Sequence, residues 1–352
     1  MFKDWLNANY FRNSSGGIDT TVDSLSDCLS QTSYVIGKLK FGIPDFYRAY
    51  LNESTLKLEI KNDEILYFGT IDNVWIKGMI GILQYNEGIT PSDRISGVLK
   101  NGDPAIIHPI VERLSFQELY DLDYNDSKPK SDHYFSIIGE DKDNLFFVDN
   151  PAVINMNKFT PYKENSEVGI ISKKDFDEAL ADFCEVGAFV FDLDKMKEAS
   201  KQCEEVFRLS YNNYDKKSSF NDDVYTFYGA EAIEKLAELF EKGDMYFSQE
   251  APSHDRDIMK YFLWRIWHIK GRRKLQVQYL REAYRNDNRA ASYLVDALMD
   301  SVKFWDLLNN NLYKNFLKGK ERIDSKYVQI TDEILTAENK MNQAYRSFIE
   351  TI

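Results

Sequence analysis

The sequence predicts an α+β protein in two parts, a mixed part over residues 1–194 and an all-α helical part over residues 195–352. Three observations carry this. Short β-like runs punctuate the first part, the clearest being a hairpin over residues 134–148. From about residue 195 those runs give way to long amphipathic stripes. The chain has 352 residues, 43% hydrophobic and 14% aromatic, which is enough length and apolar surface for more than one core.

Taken in order, residues 11–24 are rich in Gly, Ser, Asn and Thr around Ser14-Ser15-Gly16-Gly17 and read as a loop. Leu25, Leu29, Thr32, Ile36 and Leu39 then recur at helical spacing, with Ser26 or Asp27 placed to cap the start. Cys28 therefore falls in the first turn of a helix. Glu64-Ile65-Leu66-Tyr67-Phe68 reads as a strand, and residues 74–85 as a buried helix. Thr90-Pro91-Ser92-Asp93 opens another short helix, and Gly102-Asp103-Pro104 turns into the strand Ala105-Ile106-Ile107. Residues 123–132 form a polar loop.

Two strand-like runs, 134–139 and 145–148, flank the polar turn Glu140-Asp141-Lys142-Asp143-Asn144. If the hairpin pairs symmetrically about Asp141, His133 lies opposite Asp149 with both side chains on one face. Ser172-Lys173-Lys174-Asp175 matches a capping box ahead of Phe176, Ala179, Leu180 and Phe183, and residues 187–191 make a last strand. Helical stripes follow: Ile233, Leu236, Ala237 and Phe240, stopped by Gly243; residues 259–269; one or two helices over 280–308; and Ile330, Ile334, Ala337, Met341, Ala344 and Phe348.

A net charge of −13 disfavours nucleic-acid binding, which needs a basic face. Only Lys270-Gly271-Arg272-Arg273-Lys274 offers a basic run for an acidic partner. Three cysteines, Cys28, Cys184 and Cys203, do not read as a disulfide framework, and a reducing, cytoplasmic setting is expected. Cys184 and Cys203 sit in helical patterns and are expected to be structural. No basic and apolar leader and no apolar run of ~18–20 residues is present, so neither export nor a membrane partner is expected. No zinc-type spacing or Gly-rich phosphate loop occurs, so no bound metal or cofactor is expected.

A thiol is a weak nucleophile until it ionises, and a helix N-terminus and a nearby imidazolium both favour the thiolate. The imidazole in turn needs an acceptor on its other nitrogen to fix its orientation. Cys28 at a helix start, His133 at a strand start and Asp149 on the paired strand supply those parts, in the order expected of a catalytic triad. His108, after its strand and before Pro109, has no acid at hairpin spacing and reads as structural or site-lining. His254 reads as a helix cap and His268 as part of the helical half.

The segment Asp132-His133-Tyr134-Phe135-Ser136-Ile137-Ile138-Gly139-Glu140-Asp141, followed by Leu145-Phe146-Phe147-Val148-Asp149-Asn150-Pro151, resembles the His–Asp block of C39-like cysteine peptidases. An Asn intervenes before the Pro, so Asp149 or Asn150 could be the third member; strand parity with His133 favours Asp149. Gly102 to Ile107 resembles the strand before that block. Tyr228-Gly229-Ala230-Glu231-Ala232-Ile233-Glu234-Lys235-Leu236 and Leu280-Arg281-Glu282-Ala283 resemble the helical domain of proteins similar to the butirosin biosynthesis protein BtrH.

The resemblance implies a papain-like (C39-peptidase-like) domain followed by a helical domain. It also implies a cysteine acyltransferase that forms amide bonds in thiotemplated natural-product biosynthesis. The acyl donor would be a phosphopantetheine thioester on an acyl or peptidyl carrier protein, and the acceptor a free or carrier-bound amine. A related enzyme forms amide bonds in assembly of the polythioamide closthioamide. C39 peptidases carry a Gln about six residues before the Cys as an oxyanion donor; Val22 stands there, and no Gln precedes Cys28. Backbone N–H groups at the helix start, or Asn13, would then hold the oxyanion, which suits a reactive thioester better than an amide. Phe135 and Phe147 are candidates to line the acyl channel, with a core role the favoured alternative, and His108 and Asn150 are candidates to contact substrate. The alternatives are a C39-like peptidase or amidase, and a non-catalytic binding protein with an unreactive Cys28.

Overall fold

The computed structural model describes residues 2–12, 19–25, 27–42, 46–71, 78–118, 120–125, 133–150, 158–180, 184–243, 258–284, 288–318 and 327–352. Along the chain come α1 (Phe2–Leu6), α2 (Thr20–Ser24), α3 (Cys28–Phe41), β1 (Leu56–Lys61), β2 (Glu64–Thr70) and β3 (Ile80–Gln84). Next are α4 (Pro91–Lys100), β4 (Ala105–Pro109), β5 (Phe135–Glu140), β6 (Asn144–Val148), β7 (Pro161–Tyr162) and β8 (Asn165–Ser172). Then follow α5 (Lys173–Leu180), β9 (Cys184–Phe191), α6 (Leu193–Lys201), α7 (Cys203–Tyr214), β10 (Ser219–Asn221) and β11 (Val224–Tyr228). Four helices close the chain: α8 (Gly229–Lys242), α9 (Ile258–Ala283), α10 (Arg289–Phe316) and α11 (Tyr327–Ile349).

The chain divides into two compact units, Met1–Tyr47 with Ile76–Lys197, and Arg48–Trp75 with Glu198–Ile352. The first is built on a seven-stranded sheet in the order β3-β9-β4-β5-β6-β8-β7, antiparallel throughout. Alternate residues of its central strands, Ala105, Ile107, Phe135, Ile137, Leu145, Phe147, Val186 and Ala188, pack with Ile95, Val98 and Leu99 of α4 and Phe176 and Leu180 of α5. The expected starts hold for both helices. Thr90 and Asp93 form a reciprocal capping box on α4, and Ser172 Oγ accepts the Asp175 N–H at the head of α5.

Helix α3 is tied to the start of β5, where Thr32 Oγ1 donates to Tyr134 O at 3.2 Å. It ends on Gly42, which takes the left-handed conformation at φ 58° that a side chain resists. Within α3, a Cβ on Gly37 would stand 2.3 Å from the Phe46 ring, so the glycine is what lets that ring close on the helix.

Three expectations are corrected here. Residues 80–84 are the edge strand β3 rather than part of a helix over 74–85, of which 74–77 lie outside the described residues. Gly78 and Gly81 weaken a helix there, and Ile80 and Ile82 alternate with more exposed neighbours as a strand requires. The hairpin β5–β6 is not symmetric about Asp141. Glu140 pairs with Leu145, Gly139 with Phe146, and after an irregularity Ile137 pairs with Phe147 and Ser136 with Val148. That register would set Asp149 across from Phe135, so His133 stands two residues further along, on the same parity.

The third correction concerns the second unit, which is not all-α. It holds a four-stranded antiparallel sheet, β10-β11-β1-β2, and includes residues 48–75, which the sequence pattern leaves in the first part. Both of its hairpins turn on two residues of positive φ, Asn62-Asp63 and Asp222-Asp223, the backbone that a two-residue antiparallel turn needs. Leu56, Leu58 and Phe68 of this sheet share a core with Ile233 and Leu236 of α8, Phe262 and Ile266 of α9, Trp305 of α10 and Ile334 of α11. Gly243, at φ 72°, ends α8 as its position after the stripe foretells.

Candidate functional site

Asp27 sets the start of α3. Its side chain accepts the Ser30 N–H at 2.7 Å, and its carbonyl accepts the Gln31 N–H at 3.0 Å. Cys28 is thereby the first helical residue and is half-buried. Its Sγ accepts the backbone N–H of Tyr134 at 3.3 Å. Among the described residues the N–H groups of Cys28 and Leu29 have no protein acceptor, and the positive end of the helix lies beside the sulfur.

His133 lies just before β5 and is buried. Its Nε2 donates to both oxygens of Asp149, at 3.0 Å to Oδ1 and 2.8 Å to Oδ2. Cys28 is the other side chain whose nearness acts on the ring, and with Nε2 committed to Asp149, Nδ1 is the nitrogen not engaged by the carboxylate. Asp149 is buried too. It also accepts the Asn150 N–H on Oδ1 and Gln117 Nε2 on Oδ2, both at 2.7 Å. Burial works against the imidazolium, but the Asp149 carboxylate and its hydrogen bond, with Cys28 adding in the same direction, push the His133 pKa up to about 10. The shift favours the doubly protonated ring at neutral pH.

The structure thus brings Cys28, His133 and Asp149 together, with the imidazole hydrogen-bonded to the carboxylate and the sulfur held by the backbone N–H of the next residue, Tyr134. It also separates the two candidates for third member: the Asp149 carboxylate holds the ring, while Asn150 Nδ2 donates to Gln31 Oε1 at 2.6 Å. His108 has no acid at hairpin spacing, but it meets one from a strand distant in the sequence. Glu185 stands opposite it on β9, with Nδ1 and Oε2 3.2 Å apart, and the His108 ring stacks on Tyr134 at 4.3 Å. Phe135 and Phe147 do not line a channel. Both are sealed in the core between sheet and helices, because the alternation that gives His133 and Asp149 their parity buries these neighbours. Asn13 lies outside the described residues, as does His254.

Cys184 opens strand β9 rather than lying in a helix, and burial pushes its thiol up to about 12. Cys203 is buried at the head of α7, with Sγ 3.0 Å from Ser200 O. The run 270–274 is not a free basic face. Lys270 is buried and its Nζ donates to Asp306, Arg272 donates to Ile71 O, each at 2.5 Å, and Arg273 is fully enclosed with Glu338. A charge count along the sequence cannot see that α9 turns this run inward.

Three residues of the site escape sequence reasoning. Gln117 follows a single 3-10 turn at Val111–Arg113, and nothing local marks it as the partner of Asp149. Tyr134 acts through its backbone. Gln31 carried a signal: it lies one helical turn from Cys28, a polar side chain at the head of the stretch that α3 buries. Its Nε2 donates to Val22 O and Leu25 O at 3.2 and 2.5 Å, so it fastens the α2–α3 junction to Asn150 and has no hydrogen left for an oxyanion.

No family model and no curated protein matches the sequence. Among the described residues, no group of three or more His, Cys, Asp or Glu side chains could hold a metal ion, and no helix is long and apolar enough to cross a membrane.

Proposed function

We propose that the chain is a cysteine-dependent acyltransferase that works through an acyl-enzyme on Cys28. The observation that supports this best is the Cys28 thiol at a helix N-terminus beside a buried His133 that is hydrogen-bonded to the Asp149 carboxylate. In the first step the Cys28 sulfur attacks the carbonyl carbon of an acyl thioester. The carbon–sulfur bond to the donor breaks, and His133 gives its Nδ1 proton to the departing thiolate. In the second step an amine attacks the Cys28 thioester, His133 takes a proton from it, and the Cys28 sulfur leaves, so that one amide forms for each thioester consumed. Asp149 keeps the ring oriented and stabilises the imidazolium in both steps.

The choice of a carrier-protein phosphopantetheine thioester as donor and an amine as acceptor rests on the resemblance carried by residues 132–151 and 228–236. The papain-like assignment of the first unit rests on the same residues.

Intact mass measured on wild type and on Cys28→Ala, after exposure to carrier-bound acyl thioesters or short acyl-thioester mimics, tests this. Wild type alone should gain one acyl group and lose it on addition of amine. A folded wild type that gains nothing from a broad thioester panel, and whose Cys28 also resists alkylation, would leave the proposal without support and favour a binding role.

A further inference from the structure

We propose that Gln117 is a positioning residue of this site, holding the Asp149 carboxylate in the orientation that aims His133 at Cys28. The role rests on the thiol-nucleophile reading above and adds a fourth side chain to it. His133 Nε2 lies almost evenly between the two Asp149 oxygens, at 3.0 and 2.8 Å, so the carboxylate can turn about its own axis with little change in that bond. The Asn150 N–H on Oδ1 comes from the adjacent residue and moves with Asp149. Gln117 is different. It comes from a segment 32 residues away, is 2% exposed, and is pinned by its own backbone: its N–H goes to Leu114 O and its carbonyl accepts the Tyr120 N–H. Its Nε2, 2.7 Å from Oδ2, is the one side-chain donor on the carboxylate besides His133 among the described residues.

The amide also suits the place chemically. A lysine or arginine there would compete with the imidazolium for the carboxylate and repel it, whereas a neutral donor fixes the carboxylate without opposing the charge on His133. Among the described residues, Asp149 and Cys28 are the titratable groups that act on His133, so the proton balance of the ring lies with those two and with whatever fixes them.

The test is the rate of Cys28 alkylation by iodoacetamide across pH in wild type, His133→Ala, Gln117→Leu and Gln117→Glu. Wild type must first react faster than His133→Ala; if the two are equal, the triad itself fails and the Gln117 role falls with it. Given that gap, Gln117→Leu should react about tenfold more slowly at every pH, the loss of one charge-assisted hydrogen bond. Gln117→Glu, which keeps the size of the side chain, should approach wild type in acid, where its carboxylic acid can still donate to Asp149. It should fall away as the pH rises and two carboxylates face each other. A residue that merely fills space would not give that pH-dependent recovery. A Gln117→Glu profile that tracks wild type throughout would overturn the proposal, even if Gln117→Leu does not fold.

Discussion

Each unit of the molecule buries a carboxylate against a cation, and two of these pairs, one in each unit, differ in what their chemistry allows. In the second unit Arg273 Nη2 meets Glu338 Oε2 at 2.9 Å, with both side chains essentially free of solvent. Ser301 Oγ and Trp305 Nε1 donate to the other oxygen, at 2.5 and 2.9 Å, and the guanidinium reaches Ser54 O and Ile269 O at 3.4 Å. In the first unit Asp149 is supplied with donors just as fully, by His133, Gln117 and Asn150. The difference is the cation. A guanidinium cannot pass a proton on, so such a pair ties helices together and does nothing more. An imidazolium can, and His133 adjoins the residue whose backbone N–H holds a half-buried thiol, Cys28. Burial and hydrogen-bond saturation alone do not distinguish the two carboxylates; the chemistry of the partner does.

Breaking the sealed pair should give the largest loss of stability. Arg273→Met leaves Glu338 buried with its counter-ion gone and should cost about 3–5 kcal/mol in urea unfolding. Pairing it with Glu338→Leu should recover much of that loss, since two apolar side chains leave no buried charge. If the single substitution costs no more than an exposed pair does, the contrast between sealed and exposed charge is lost.

Asp149→Asn should cost less stability and more chemistry, a fall of about 10²–10⁴-fold in Cys28 acylation, because the ring loses both its orientation and its counter-charge. It should also change how stability varies with pH. The His133 pKa is raised in the folded chain, so the group stabilises the fold fully below the unfolded imidazole value of about 6.5. That contribution is lost as the pH rises through the folded value of about 10. Urea midpoints of wild type should therefore decline between pH 6 and pH 9 through this group, and Asp149→Asn should flatten that decline. A slope unchanged by the substitution would separate His133 from Asp149 in solution.

What the sequence made legible follows the range of the forces involved. The hairpin over 135–148, the cap before Cys28 and the parity of His133 with Asp149 are local, and period-two alternation and N-cap chemistry expose them. The irregularity between Ile137 and Gly139 shifts the register by one residue, and that shift is what returns Asp149 to the parity of His133, so an expectation with the wrong register still named the right pair. Gln117 and the inward turn of Arg273 depend on partners distant in the chain, and no pattern around either residue points to them. The second sheet fell between these cases. Val224-Tyr225-Thr226-Phe227-Tyr228 after Asp222-Asp223 is a strand signal in its own right, overshadowed by the strong helical stripes that follow. Its partner β1 lies more than 150 residues earlier, which is why residues 48–75 could not be assigned to the second unit from local pattern.

The smallest effect should come from a third kind of pair, Lys340 with Asp300. Their separation of 2.5 Å is shorter than that of Arg273 and Glu338, and the Asp300 hydrogen bond raises the Lys340 pKa. By distance alone it should be the stronger contact. Yet both side chains are more than two-fifths exposed, at 43% and 46%, so water screens the attraction and both chains lose rotamer freedom in making it. Lys340→Ala should therefore cost under about 0.5 kcal/mol, and that remnant should fade in 1 M salt. Urea unfolding at low and high salt, run beside Arg273→Met, measures both. A Lys340→Ala loss that matched Arg273→Met and resisted salt would mean that contact distance, rather than solvent exclusion, sets the worth of these pairs. The same result would undercut the use of burial to set His133 and Asp149 apart from the many charges on the surface.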